Sequence, residues 1–126
     1  MEALKHQDLT EQIIKCFYKV YNTMGYGFLE RVYENALVIE LKRIGLTTVR
    51  QHPIRVYYEG EVVGEYCADL VVGGVVIVEL KTADAVALAH EAQLLNYLRA
   101  TGIEVGLLLN FGPKPEFKRK IFSNLR

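Results

Sequence analysis

The spacing of apolar residues changes character partway along the chain. Leu9, Ile13, Cys16, Phe17, Val20 and Met24 recur at intervals of three and four, which predicts an amphipathic first helix with Asp8 and Glu11 as its capping box. Gly25-Tyr26-Gly27 breaks the repeat and supplies two residues that tolerate positive φ. A second helix is expected from about Phe28, carrying Val32, Tyr33, Ala36, Leu37, Glu40, Leu41 and Ile44, with Gly45 as its stop. Glu30 falls in its first turn, where the helix dipole favours a carboxylate.

Beyond Gly45 the period drops to two. His52 to Tyr58 reads as a strand, Glu59-Gly60 as a two-residue turn, and Val62 to Val72 as a second strand. Gly73-Gly74 turns the chain into Val75-Val76-Ile77-Val78-Glu79-Leu80-Lys81, whose apolar run makes it the central strand of an antiparallel meander. Asp84 is placed to cap a helix reaching Ala100, with Leu88, Ala92, Leu95 and Leu98 as its core face and Gly102 as its end. Val105 to Phe111 reads as a buried strand parallel to the central one, reached by a right-handed crossover. The last segment, Phe117 to Phe122, is assigned as an edge strand. The order is α-α-β-β-β-α-β, with a further β at the end.

Composition narrows the class. A chain of 126 residues, 51% hydrophobic and 24% charged, fits one compact domain spanning residues 1–126. Its formal charge is zero, so any attraction for nucleic acid has to come from a local patch. Cys16 and Cys67 sit in periodic apolar segments and are expected to be reduced core residues of a cytoplasmic protein. No run reaches membrane-spanning length, and Met1 to His6 lacks the apolar stretch of a signal peptide.

The central strand carries the chemical oddity. Residues two apart on a strand share a face, so Glu79 and Lys81 point the same way, beside a core that should exclude both. Asp69, in Cys67-Ala68-Asp69-Leu70-Val71-Val72, is another acid among apolar neighbours on the preceding strand. A two-residue loop at Gly73-Gly74 would put Asp69 and Glu79 on opposite faces, whereas a three-residue loop or a bulge would pair them directly. Paired, the two carboxylates suit a hard divalent cation that leaves positions for phosphate oxygens, and Lys81 can hold the attacking water. The bland reading is that Glu79 and Lys81 form a surface ion pair of small worth. On the helix, His90, Gln93 and Tyr97 share one stripe, set away from the expected core face.

Several stretches weigh against the bland reading. Gly27-Phe28-Leu29-Glu30-Arg31-Val32-Tyr33 fits a G-x-x-E-x-x-Y signature, and VVGEYCADLVV, VVIVELK, HEAQLLNYL and GLLLNFG come after it in order. From roughly Leu9 to Phe122 the chain resembles the GxxExxY proteins of the PD-(D/E)XK nuclease superfamily. Gln93-x-x-x-Tyr97 resembles the Q-x-x-x-Y motif of the RecB-like branch. One departure is that Ala68, not Pro, precedes Asp69, as is common in that branch. The resemblance implies a restriction-endonuclease-like fold, a three-layer α/β/α core with a mixed central sheet, and metal-dependent phosphodiester hydrolysis on DNA. It also implies that Asp69, Glu79 and the Leu80 carbonyl hold Mg²⁺ or Mn²⁺ and that Lys81 positions the water. Glu30 then reaches the metal through water, and Gln93 and Tyr97 lie beside Lys81 or a substrate phosphate.

Other residues keep two readings each. Tyr33 is a core aromatic or a substrate contact, and His90 a polar helix residue or a substrate contact. Asn110 satisfies loop backbone or binds phosphate. Lys114, Lys118, Arg119, Lys120 and Arg126 outweigh Glu116 and form either a phosphate-binding edge or a solvated edge that blocks strand addition. The rival to the enzyme is a non-catalytic module of the same fold that binds nucleic acid, a partner protein or a second copy.

Overall fold

The computed structural model describes residues 5–123. Met1 to Leu4 and Arg126 lie outside them. Helices α1 (Gln7–Met24) and α2 (Glu30–Arg43) precede strands β1 (Thr48–Tyr58), β2 (Glu61–Val72) and β3 (Val76–Lys81). Helix α3 (Leu88–Thr101) then leads to β4 (Val105–Phe111) and β5 (Pro115–Ile121). The five strands form one sheet in the order β1-β2-β3-β4-β5, with β3 and β4 parallel and the other neighbours antiparallel. The third strand of the meander, the most apolar of its three, is thus the middle one of the sheet, and the C-terminal segment is an edge strand, as expected.

The sheet has a helical layer on each face. On one, Leu70, Val72, Val76, Val78 and Leu80 pack with Ile13, Phe17, Tyr33, Leu37 and Leu41 of α1 and α2. On the other, Ile54, Ala68, Val71, Ile77 and Leu108 pack with Leu94, Tyr97 and Leu98 of α3. This is the expected three-layer α/β/α arrangement around a mixed sheet.

Four local expectations are corrected. The first helix begins at Gln7 after a left-handed His6, with no side-chain cap, so Asp8 and Glu11 lie inside it. Asp84 caps nothing, because the loop before α3 is tied down elsewhere: Asn110 Oδ1 accepts from Ala83 N–H at 2.9 Å and Glu116 Oε1 from Val86 N–H at 3.1 Å, delaying the helix to Leu88. Helix α3 is also rotated from its expected setting. Leu88 is 83% exposed while Leu94 and Leu98 are fully enclosed. The reason is Gly106 on β4: a Cβ there would stand 2.7 Å from Leu94 Cδ1, so the missing side chain makes the hollow that Leu94 fills. Cys67 is exposed rather than core, and Cys16 is buried as expected.

Candidate functional site

The turn between β2 and β3 decides the site. Val72 pairs with Val76, so Gly73, Gly74 and Val75 form a three-residue connection, with both glycines at positive φ (61° and 71°). The pairing runs through Leu70 and Val78 and stops there, one step short of Asp69 and Glu79, which share the same register. Side chains take over from the ladder at that step. Asp69 N–H donates to Glu79 Oε2 at 2.6 Å, and Leu80 N–H donates to Asp69 Oδ2 at 2.8 Å. The two acids therefore meet at the fork between the strands, as the metal-site reading demanded of the register.

Their surroundings set their charge. Glu79 is only 5% exposed, and burial together with the charge of Asp69 pushes its pKa up to about 8, against the opposing pull of the Asp69 N–H and Lys81. Asp69 is raised mainly by burial, and the Leu80 N–H works in the opposite direction. Glu30, the first residue of α2, is raised by loss of solvent and then by Asp69, while Lys81 lowers it. Glu30, Asp69, Glu79 and Lys81 thus come from three elements to one place.

Two contributors are missing from the sequence reading. Glu34, one turn along α2 from Glu30, is 3% exposed; it receives Arg50 Nη2 at 2.8 Å and Gln51 Nε2 at 3.2 Å and presses its charge on Asp69. Gln51 sits across from Asp69 on β1 with φ 50°, a left-handed conformation rare for a residue with a side chain, and hydrogen-bonds Asp69. The spacing of Glu34 from Glu30 places both on one helix stripe, which could have flagged Glu34. Nothing in the sequence marks the backbone of Gln51.

Other expected site residues have different places. Tyr33 is fully buried against Phe111, and its hydroxyl donates to the Gly25 carbonyl and accepts from Phe28 N–H at 3.2 Å. It ties the turn that launches α2 at Glu30, which corrects its reading as a substrate contact. His90 Nδ1 accepts from Ala87 N–H at 3.2 Å and so secures the start of α3. Tyr97 is 7% exposed and belongs to the core, not to a stripe facing away from it. Its phenol is pushed up to about 12, chiefly by burial and then by Glu79, Tyr66 and Asp69. Gln93 lies on the same helix face, beside Tyr97 and away from β5. Lys120 pairs with Glu91 of α3 and Lys118 with Glu116 at 3.9 Å, on the opposite edge of the sheet from β1. Asn110 holds both backbone groups of Ala83, its Nδ2 donating to the carbonyl at 3.0 Å.

The donor set fits a hard cation. Asp69 and Glu79 each have one oxygen tied to a backbone N–H; Asp69 raises the proton affinity of Glu30 and Glu79, Glu34 raises that of Asp69, and Lys81 lowers that of Glu30, Asp69 and Glu79. A divalent ion on oxygen ligands relieves that crowding. Among the described residues no group of three or more His, Cys, Asp or Glu side chains is arranged around a common metal position.

A mixed sheet that forks at a pair of acids, with helices on both faces, defines the restriction-endonuclease-like class of fold. The chain belongs to the PD-(D/E)XK nuclease superfamily, whose family model matches residues 7–120. Nucleases of this superfamily generally depend on a divalent metal ion. The crystal structure of SSO0001 shares the fold, at 20% identity and a TM-score of 0.57, with 92% of this chain and 59% of that one covered. The chain therefore spans just over half the length of that protein. The structure of Hjc, a Holliday junction resolvase from the archaeal hyperthermophile Archaeoglobus fulgidus, matches at 21% identity and a TM-score of 0.44, covering 71% of this chain and 73% of that one. No curated protein sequence matches.

Proposed function

We propose that the chain is a nuclease of the GxxExxY type that hydrolyses phosphodiester bonds in DNA with Mg²⁺ or Mn²⁺, held by Asp69, Glu79 and the Leu80 carbonyl. The observation that carries the reading is the meeting of Asp69 and Glu79 at the fork, with Lys81 two residues further along β3. A bound ion would supply Lewis-acid stabilisation of the negative charge that develops on the phosphate. The chain's own residues do the rest. Lys81 donates to the water that attacks phosphorus and orients it against the bond to the leaving sugar oxygen. Glu30, at the start of α2, accepts a hydrogen bond from water on the same side. Glu34 holds Gln51, which in turn hydrogen-bonds Asp69, and the Asn110 clasp on Ala83 holds the chain just beyond Lys81.

The test compares the wild-type protein with Lys81→Ala and Asp69→Asn on labelled single- and double-stranded DNA with added Mn²⁺ or Mg²⁺. Wild-type cleavage abolished by both substitutions supports the reading. Equal cleavage by all three proteins marks a contaminant, and cleavage by none favours the non-catalytic module. Calorimetry separates the metal from the chemistry: Asp69→Asn binding Mn²⁺ as tightly as the wild type would refute the ligand assignment.

A further inference from the structure

We infer that the groove between α3 and the β1–β2 hairpin seats an unpaired stretch of nucleic-acid strand and delivers it to the acids at the fork. The inference deepens the nuclease reading by naming the form of the substrate, and it rests on that reading only for the cleavage step, not for binding.

The groove encloses about 740 Å³, within the range of sites that hold a small organic group. Its charge is the first argument. Arg55 and Arg99 line it and no acid does, although the chain as a whole is neutral. Arg55 pairs with Glu65, at 3.4 Å with both side chains well exposed, a pairing weak enough for a phosphate to displace. Arg99 lies over the Phe122 ring at 5.1 Å and donates to Asn96 Oδ1 at 3.3 Å, which holds its guanidinium at the groove wall.

The second argument is the aromatic surface. Tyr66 is 48% exposed, so its ring offers a face to whatever enters. Its position is not accidental. Gly64 leaves the space beside Tyr66, where a Cβ would come within 3.3 Å of the ring, and Tyr97 backs it at 5.6 Å between centroids. Stacking needs an open π-face on the ligand too, which an unpaired base has and a base inside a duplex lacks. Gln93 and Asn96, one turn apart on α3, present amides that can donate to or accept from base edges.

The third argument is continuity with the fork. Tyr66 precedes Asp69 by three residues on β2, about 10 Å along the strand. Tyr97 borders both places, packing on Tyr66 and feeling the charges of Glu79 and Asp69.

The test measures binding apart from cleavage. Fluorescence anisotropy in EDTA, with labelled oligodeoxythymidylate and a blunt hairpin duplex, would compare the wild-type protein with Tyr66→Ala, Ala92→Phe and Asp69→Asn. Ala92 is an exposed α3 residue lining the groove, so phenylalanine there fills the space without touching the core. The expected result is preference for the single strand, a loss of about five- to hundredfold in both groove variants, the scale of one lost base stack, and unweakened binding by Asp69→Asn. Wild-type affinity in both groove variants overturns the inference, as does a duplex bound more tightly than the single strand. The two readings fail separately. Tyr66-dependent binding without Asp69-dependent cleavage leaves the groove and removes the nuclease, and cleavage lost in Asp69→Asn beside unaltered binding by the groove variants does the reverse.

Discussion

Replacing Glu79 by Gln should stabilise the metal-free protein at alkaline pH and make its stability less dependent on pH. Glu79 is 5% exposed, and its carboxyl titrates near 8 in the fold against 4.5 for a free glutamate. A folded-state pKa above the unfolded value means that the native protein holds the proton more tightly. Below pH 4.5 both states are protonated and the contribution of this group to stability is fully present; between 4.5 and about 8 it is lost progressively, and above 8 the loss is complete. The interval corresponds to a loss on the order of 5 kcal/mol, a large part of the stability of a small domain. Gln keeps an oxygen to accept the Asp69 N–H and carries no charge, so the variant should lack this slope and retain only the smaller ones from Asp69 and Glu30, which are also raised. Urea unfolding in EDTA at pH 5, 6.5 and 8 measures it. Wild-type and variant midpoints that run parallel across that window would refute the reasoning. Added Mn²⁺ should restore the wild-type midpoint at pH 8 and leave that of Glu79→Gln nearly unmoved.

Substitutions at three other positions probe the supporting framework. Asp69→Asn should lose ion binding yet keep most of its stability, because an amide oxygen still accepts the Leu80 N–H, while Asp69→Ala orphans that group and should unfold about 1–3 kcal/mol more easily by urea titration. Tyr33→Phe keeps the stacked ring but removes the partner of the Gly25 carbonyl and the Phe28 N–H; hydrogen exchange should speed up at Phe28, and cleavage should fall through Glu30 with the metal affinity little changed. Gly106→Ala should cost about 1–3 kcal/mol by overpacking against Leu94, and adding Leu94→Ala should recover part of that loss in a double-mutant cycle.

The order of elements was legible because each has a clean period and most have a glycine at the end. The Glu59-Gly60 turn, the Gly25 stop and the parallel pairing of β3 with β4 all agree with that pattern. The register at Gly73-Gly74 was not fixed by pattern, since two- and three-residue loops fit the same residues; it was fixed by chemistry, because only one of them brings Asp69 to Glu79. What stayed hidden depends on contacts between distant segments. The rotation of α3 is set by the empty position at Gly106, and Leu94, Leu95 and Leu98 allow more than one buried face. Glu34 is met by Arg50 and Gln51, which lie sixteen and seventeen residues further along the chain. Tyr33 carries a motif position whose purpose lies in the backbone five and eight residues before it.

The fork joins two duties that are usually separate. Asp69 and Glu79 splint the strands where the ladder stops, and the same carboxylates are the proposed seat of the ion. A descendant that abandoned cleavage would be released from keeping the charges but not from keeping the splint. Its permitted changes would be to asparagine and glutamine, with alanine selected against for the sake of the sheet alone. Retired copies of this fold should therefore carry amides where the working ones carry acids.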